Sequence, residues 1–138
     1  MFSNDYAKMI STELNAKIWT PVYFKETQTG VQPEVPNHVE LPNQKGIVLI
    51  GTKVNNKPIC VCSGSIYYRV YRFGKEITKK SRNDESHPAA NKFRRDGGDP
   101  NSIIFKYVLF SELRDIDLDY TTQIRKELVR LYETPYNE

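Results

Sequence analysis

The chain is poor in the residues that staple small folds: two cysteines and two histidines in 138 residues. Cys60 and Cys62 stand two apart in the apolar run "PICVC", and on a strand that spacing puts both side chains on one face. So few cysteines exclude a disulfide scaffold and read as buried free thiols in a reducing compartment. Zinc would need two further ligands, and His38 and His87 lie far apart without ligand-pair spacing, so no zinc site is expected. No apolar run approaches the roughly 20 residues that a membrane-spanning helix needs. The opening "MFSNDYAKMISTEL" has no basic region followed by an apolar core, so no secretory leader is expected and a cytoplasmic location follows. Internal repeats and low-complexity tracts are also missing.

What remains is a chain long enough to bury one core unaided. Its net charge of +3 is unevenly spread. Residues 69–95 carry nine Lys or Arg against three acids, a balance of +6, whereas residues 111–138 carry four against seven, or −3. A basic middle of that kind suits a polyanion, because each neutralised phosphate releases condensed counterions.

Hydrophobic spacing gives the elements. Tyr6, Ile10 and Leu14 recur at fourfold spacing and predict a helix over residues 4–16. "KIWTPVYF" has strand-forming residues, but its proline confines it to an edge or an extended segment. Residues 26–46, with three prolines, two glycines and few large apolar side chains, read as a long loop or extended arm. "GIVLIG" and "PICVC" form a hairpin across Asn55-Asn56, a pair that tolerates positive φ. Ser63 or Ser65 caps the next helix, whose stripe is Ile66, Val70 and Phe73 before Gly74. "KKSRNDES" is a charged loop, and His87-Pro88 opens a short helix that ends at "RRDGG". "SIIFKYVLF" is a buried strand. A last helix runs from Thr121 or Thr122 to about Glu133 on Ile124, Leu128 and Leu131, and Pro135 stops it. The order describes an α+β domain with a small antiparallel sheet flanked by helices.

The stretch "KGIVLIGTKVNNKPICVCSGSIYYR" resembles the opening of GIY-YIG nuclease domains, with Gly46-Ile47-Val48 for the first motif and Ile59-Cys60-Val61 for the second. Ser63, Ile66 and Arg69 fall on the family's serine, isoleucine and catalytic arginine. "AANKFRRDGGDPNSIIFKYVLF" is similar to its helix, turn and third strand, and "KELVRLYETPYN" to its terminal helix. The resemblance covers residues 44–138 and leaves 1–43 as an N-terminal helix and extended arm. It implies a three-stranded antiparallel sheet and a phage or mobile-element endonuclease that hydrolyses DNA with Mg2+ or Mn2+. In that division of labour Glu127 holds the metal and Arg69 stabilises the phosphoryl charge. Tyr67 or Tyr71, or else Tyr68 or His87, would supply the proton-handling group from elsewhere, no spacing selecting one, and Arg72, Lys75, Lys92, Arg94, Arg95 and Asn137 would contact nucleic acid. Val48 and Ile59 stand where the signature tyrosines would be, and neither can orient water or carry a proton. The alternative is a domain of the same build that has lost catalysis and binds nucleic acid, a nucleotide or a protein partner as inhibitor or adaptor.

Overall fold

The computed structural model describes residues 3–78, 87–113 and 116–137. Its elements are α1 (Ser3–Ala16), β1 (Thr20–Pro21), β2 (Tyr23–Thr27), β3 (Gly30–Glu34), β4 (Lys45–Thr52), β5 (Lys57–Ser65), α2 (Ile66–Ile77), α3 (Pro88–Arg95), β6 (Ile103–Leu109) and α4 (Thr121–Tyr132). The charged loop read at residues 79–86 lies outside the described residues.

Four strands form one antiparallel sheet in the order β1-β6-β4-β5, and β2 and β3 form a second, two-stranded sheet. This corrects the expected three-stranded sheet. The added strand is the proline-bearing segment, which pairs Thr20 with Phe105 and Pro21 with Ile104 at the outer edge of β6. It also corrects the extended arm, since half of that stretch folds back as a hairpin. Gly30 makes the turn at φ +115°, and the Thr27 hydroxyl donates to the Gly30 carbonyl at 2.6 Å. Only one side of this hairpin reaches the core, so its apolar signal is thin.

The β4–β5 turn follows from its asparagines. Asn55 and Asn56 take φ of 58° and 49°, and both central residues at positive φ make the primed turn that matches strand twist. One irregularity follows. Ile50 faces Cys60 while Gly51 faces Pro58, so Ile59 is an extra residue on β5. That bulge breaks the alternation, and Ile59 and Cys60 both pack in the same cluster.

Each face of the sheet carries its own core. On one, Val48, Ile50, Cys60, Cys62 and Phe105 meet Ile66, Val70 and Phe73 of α2 and Phe93 of α3. On the other, Ile47, Leu49, Val61 and Val108 meet Ile10 and Leu14 of α1 and Ile124 and Leu128 of α4. Helix α2 does not stop at Gly74 but runs to Ile77. The glycine is there for space, because a Cβ at that position would stand inside the Phe24 ring of β2. Leu131, read as part of the α4 stripe, is half exposed. Tyr132 takes the contact with α1 instead, its hydroxyl donating to Asn15 Oδ1 at 2.9 Å.

Candidate functional site

In the four-stranded sheet β5 is an edge strand, and the two helix layers overhang it from opposite faces. The gap left there is a cavity of about 310 Å³. Residues 60–63 form its floor, Arg69 of α2 and Arg125 of α4 its two sides, and His87, Pro88 and Ala89 a wall at the start of α3. Tyr136 and Asn137 close the far side.

Those last two residues behave like a further strand. The Tyr136 N–H donates to the Ile59 carbonyl at 3.3 Å, and the Asn137 side chain both accepts from Val61 N–H at 2.6 Å and donates to Val61 O at 2.9 Å. An edge strand left open would present unpaired backbone groups, and Asn137 satisfies two of them. The Thr134 hydroxyl also donates to Asn137 Oδ1 at 2.9 Å. Its polar atoms are therefore engaged with the protein.

Arg69 is steered into the cavity by its own loop. Its Nε donates to Ser63 O at 2.8 Å, and it lies across Gly64, whose φ of +129° no L side chain readily takes. Beyond that bond and the Tyr68 ring 5.8 Å away, the Arg69 guanidinium meets no hydrogen-bonding or ionic partner among the described residues. Arg125 has no such partner there either. Two half-buried guanidiniums with free donors, facing one cavity, are a ready site for an anion.

Below them lies a cluster of sulfur and imidazole. Cys60 Sγ and Cys62 Sγ are 3.3 Å apart, and His87 Nε2 is 3.7 Å from Cys62 Sγ. The spacing argument against a histidine near these cysteines is corrected by the fold: 25 residues apart in sequence, His87 and Cys62 are neighbours because α3 returns over β5. His87 caps α3, its Nδ1 accepting from Ala90 N–H at 3.3 Å, and the Phe73 ring meets its edge at 5.4 Å between centroids. With Nδ1 occupied as acceptor, the hydrogen of the neutral ring sits on Nε2 and points at Cys62. The Cys60 hydrogen bond holds the Cys62 thiol down from 9.0 to about 5, against the upward pull of burial, with help from the His87 N–H and the Arg69 charge. Cys60 moves the other way, well above 9.0, chiefly because its hydrogen is held by Cys62. The surroundings therefore favour the proton on Cys60 and the negative charge on Cys62.

Cys60, Cys62 and His87 place three possible metal-ligand atoms within 4.8 Å of one another. A ligating imidazole normally presents a bare nitrogen to the metal and donates its other N–H outward. His87 has the opposite arrangement, so the ring is not set for a metal. Magnesium fits the cavity no better, since it wants oxygen ligands and no carboxylate among the described residues lines the walls.

The other residues singled out from sequence are dispersed. Glu127 is outside the cavity: two positions from Arg125 on α4, it projects about 200° round the axis and pairs with Arg130 at 3.3 Å. Tyr67 and Tyr71 stack at 6.3 Å on the β3 side of α2, Tyr67 donating to Gln32 at 2.7 Å. Arg72 donates to Tyr68 at 2.9 Å. Arg94 turns inward to Asn91 at 2.7 Å and to buried Glu76 at 3.9 Å. Lys75, Lys92 and Arg95 are exposed. The residues that sequence reasoning missed are Arg125, which no motif marks, and His87 as a partner of Cys62.

Comparison of the chain with family models, with curated proteins and with solved structures finds no match in any of the three. Among the described residues no helix is long and apolar enough to cross a membrane.

Proposed function

We propose that the chain is a GIY-YIG-like domain that binds DNA through a phosphate held between Arg69 and Arg125, without metal-dependent cleavage. The observation that carries this reading is the pair of guanidiniums, from helices on opposite faces of the sheet, whose free donors share one cavity. The order β6-β4-β5, with the hairpin leading directly into the arginine-bearing helix, supports the likeness of build. The exposed Lys92 and Arg95 extend the positive surface along α3, whose first turn lines the same cavity. Binding is favoured over hydrolysis because Glu127 does not face the phosphate site and, among the described residues lining the cavity, the one tyrosine is Tyr136, whose hydroxyl donates to Asp96 at 2.9 Å.

The test is fluorescence anisotropy with labelled single-stranded and duplex DNA across a salt series. A charged hydrogen bond contributes about 1.5–3 kcal/mol, so R69A and R125A should each weaken binding by roughly 10-fold or more. Unchanged affinity in both variants would remove the cavity from the interface. Plasmid cleavage in Mg2+ or Mn2+ that E127A abolishes would instead establish the endonuclease reading.

A further inference from the structure

The mechanism of phosphate binding makes no use of the two sulfurs on the cavity floor, yet they are the most unusual chemistry in the molecule. Cys62 Sγ meets two polar groups at once, the Cys60 sulfur at 3.3 Å and the His87 Nε2 at 3.7 Å. The cap on Ala90 fixes which ring nitrogen carries that hydrogen. Among the described residues, the charged or titratable groups lining the cavity around Cys62 are Cys60 on its own strand, Arg69 from α2, His87 from the start of α3, Arg125 from α4 and Tyr136 from the closing segment. None of these is an acid that would oppose a thiolate.

We propose that Cys62 and Cys60 form a peroxide-reactive dithiol site, Cys62 attacking and Cys60 resolving. A thiolate is the nucleophilic form of cysteine, and cationic surroundings favour it. The sulfurs are buried beneath a cavity of about 310 Å³, which admits a small hydroperoxide and keeps a protein disulfide away. In the first step the Cys62 sulfur bonds the outer oxygen of ROOH, the O–O bond breaks, and RO⁻ leaves to take a proton from water, giving a sulfenic acid. In the second the Cys60 sulfur attacks Cys62 and water departs. The two thiols supply two electrons and the peroxide is reduced to alcohol and water. The sulfurs start 3.3 Å apart, but Cα atoms two apart on a strand stand about 6.6 Å from each other, at the long end of the disulfide range, so closing the bridge bends β5 locally.

The site also deepens the phosphate-binding reading, on which this second half rests. A thiolate on the floor of the reduced cavity would oppose an incoming phosphate, and the neutral disulfide would not. On that ground the oxidised protein binds DNA more tightly.

The experiment treats the intact protein with hydrogen peroxide and follows thiol loss, intact mass and dimedone labelling. Wild type should lose both thiols together with two hydrogens in mass, and recover them with dithiothreitol. C60S should accumulate a dimedone adduct on Cys62, while C62S should react no faster than free cysteine. At pH 6 iodoacetamide should label Cys62 ahead of Cys60. Preferential labelling of Cys60, a wild-type rate equal to that of free cysteine, or stoichiometric zinc in the purified protein would each overturn the site. DNA affinity several-fold higher after oxidation supports the coupling. Equal affinity in both states refutes the coupling alone, and no DNA binding in either state refutes the phosphate reading while the thiol chemistry stands.

Discussion

The Cys62 thiol is drawn down in a place where burial should push it up. Desolvation penalises a thiolate, and what outweighs it here is chiefly the contact with Cys60 at 3.3 Å, with His87 at 3.7 Å and the Arg69 charge adding to it. That balance has a pH signature. The folded Cys62 gives up its proton near 5 and the unfolded thiol near 9.0, so between those values the unfolded chain binds the extra proton. Stability must then rise with pH across the window, and the Cys62 contribution is lost as pH falls towards 5. Above 9.0 the sign reverses, because the folded Cys60 holds its proton longer than the unfolded one. Urea denaturation of wild type and C62S from pH 5 to 9 should show the gap between them widening in favour of wild type. Parallel curves would mean that Cys62 is an ordinary thiol.

At the scale of elements, the contact between hairpin and helix rests on one glycine. Phe24 of β2 sits on Gly74 of α2 so closely that any Cβ would overlap its ring. Alanine is the better helix residue by about 1 kcal/mol, so G74A sets propensity against packing. Overpacking of a fixed ring costs roughly 1–3 kcal/mol, and G74A should destabilise wild type but stabilise the F24A background, a sign change that a double-mutant cycle in urea detects. If G74A stabilised both backgrounds, the hairpin would not be packed as described. The same contact shows why this element was illegible. Helix spacing marked α1, α2 and α4 because a stripe of three or more apolar residues repeats within each, and the strands β4, β5 and β6 stood out as apolar runs. The hairpin offers a single buried-side aromatic among polar residues, and its partner is a glycine 50 positions away in sequence. The site was legible to the same degree. Arg69 was marked by the resemblance of its motif, spacing alone putting it only at the rim of the α2 stripe, whereas Arg125 and His87 acquire meaning only when α4 and α3 are laid over the two sides of β5.

Across the whole molecule, charge decides how DNA would lie. Ala89 marks the cavity wall, and at 1.5 Å per residue Lys92 and Arg95 stand about 5 and 9 Å further along α3. That spread is close to the separation of successive phosphates along a strand, so the cavity and the outer side of α3 form one track rather than two sites. Arg94, between them in sequence, is diverted to Asn91 and Glu76 inside the fold. The three side chains therefore have different expected roles despite adjacent positions. Each phosphate contact contributes about −0.9 to the slope of log affinity against log salt on duplex DNA, so K92A and R95A should each flatten that slope by roughly 1 and weaken all sequences alike. R94A should leave the slope of the folded protein as it is and lower its stability instead, by roughly 1–3 kcal/mol, since the half-buried guanidinium loses its bond to Asn91 and its approach to Glu76. Anisotropy titrations at several salt concentrations, with urea melts of the same three variants, separate the two effects. A flattened slope in R94A with unchanged stability would turn that arginine outward and place the track elsewhere.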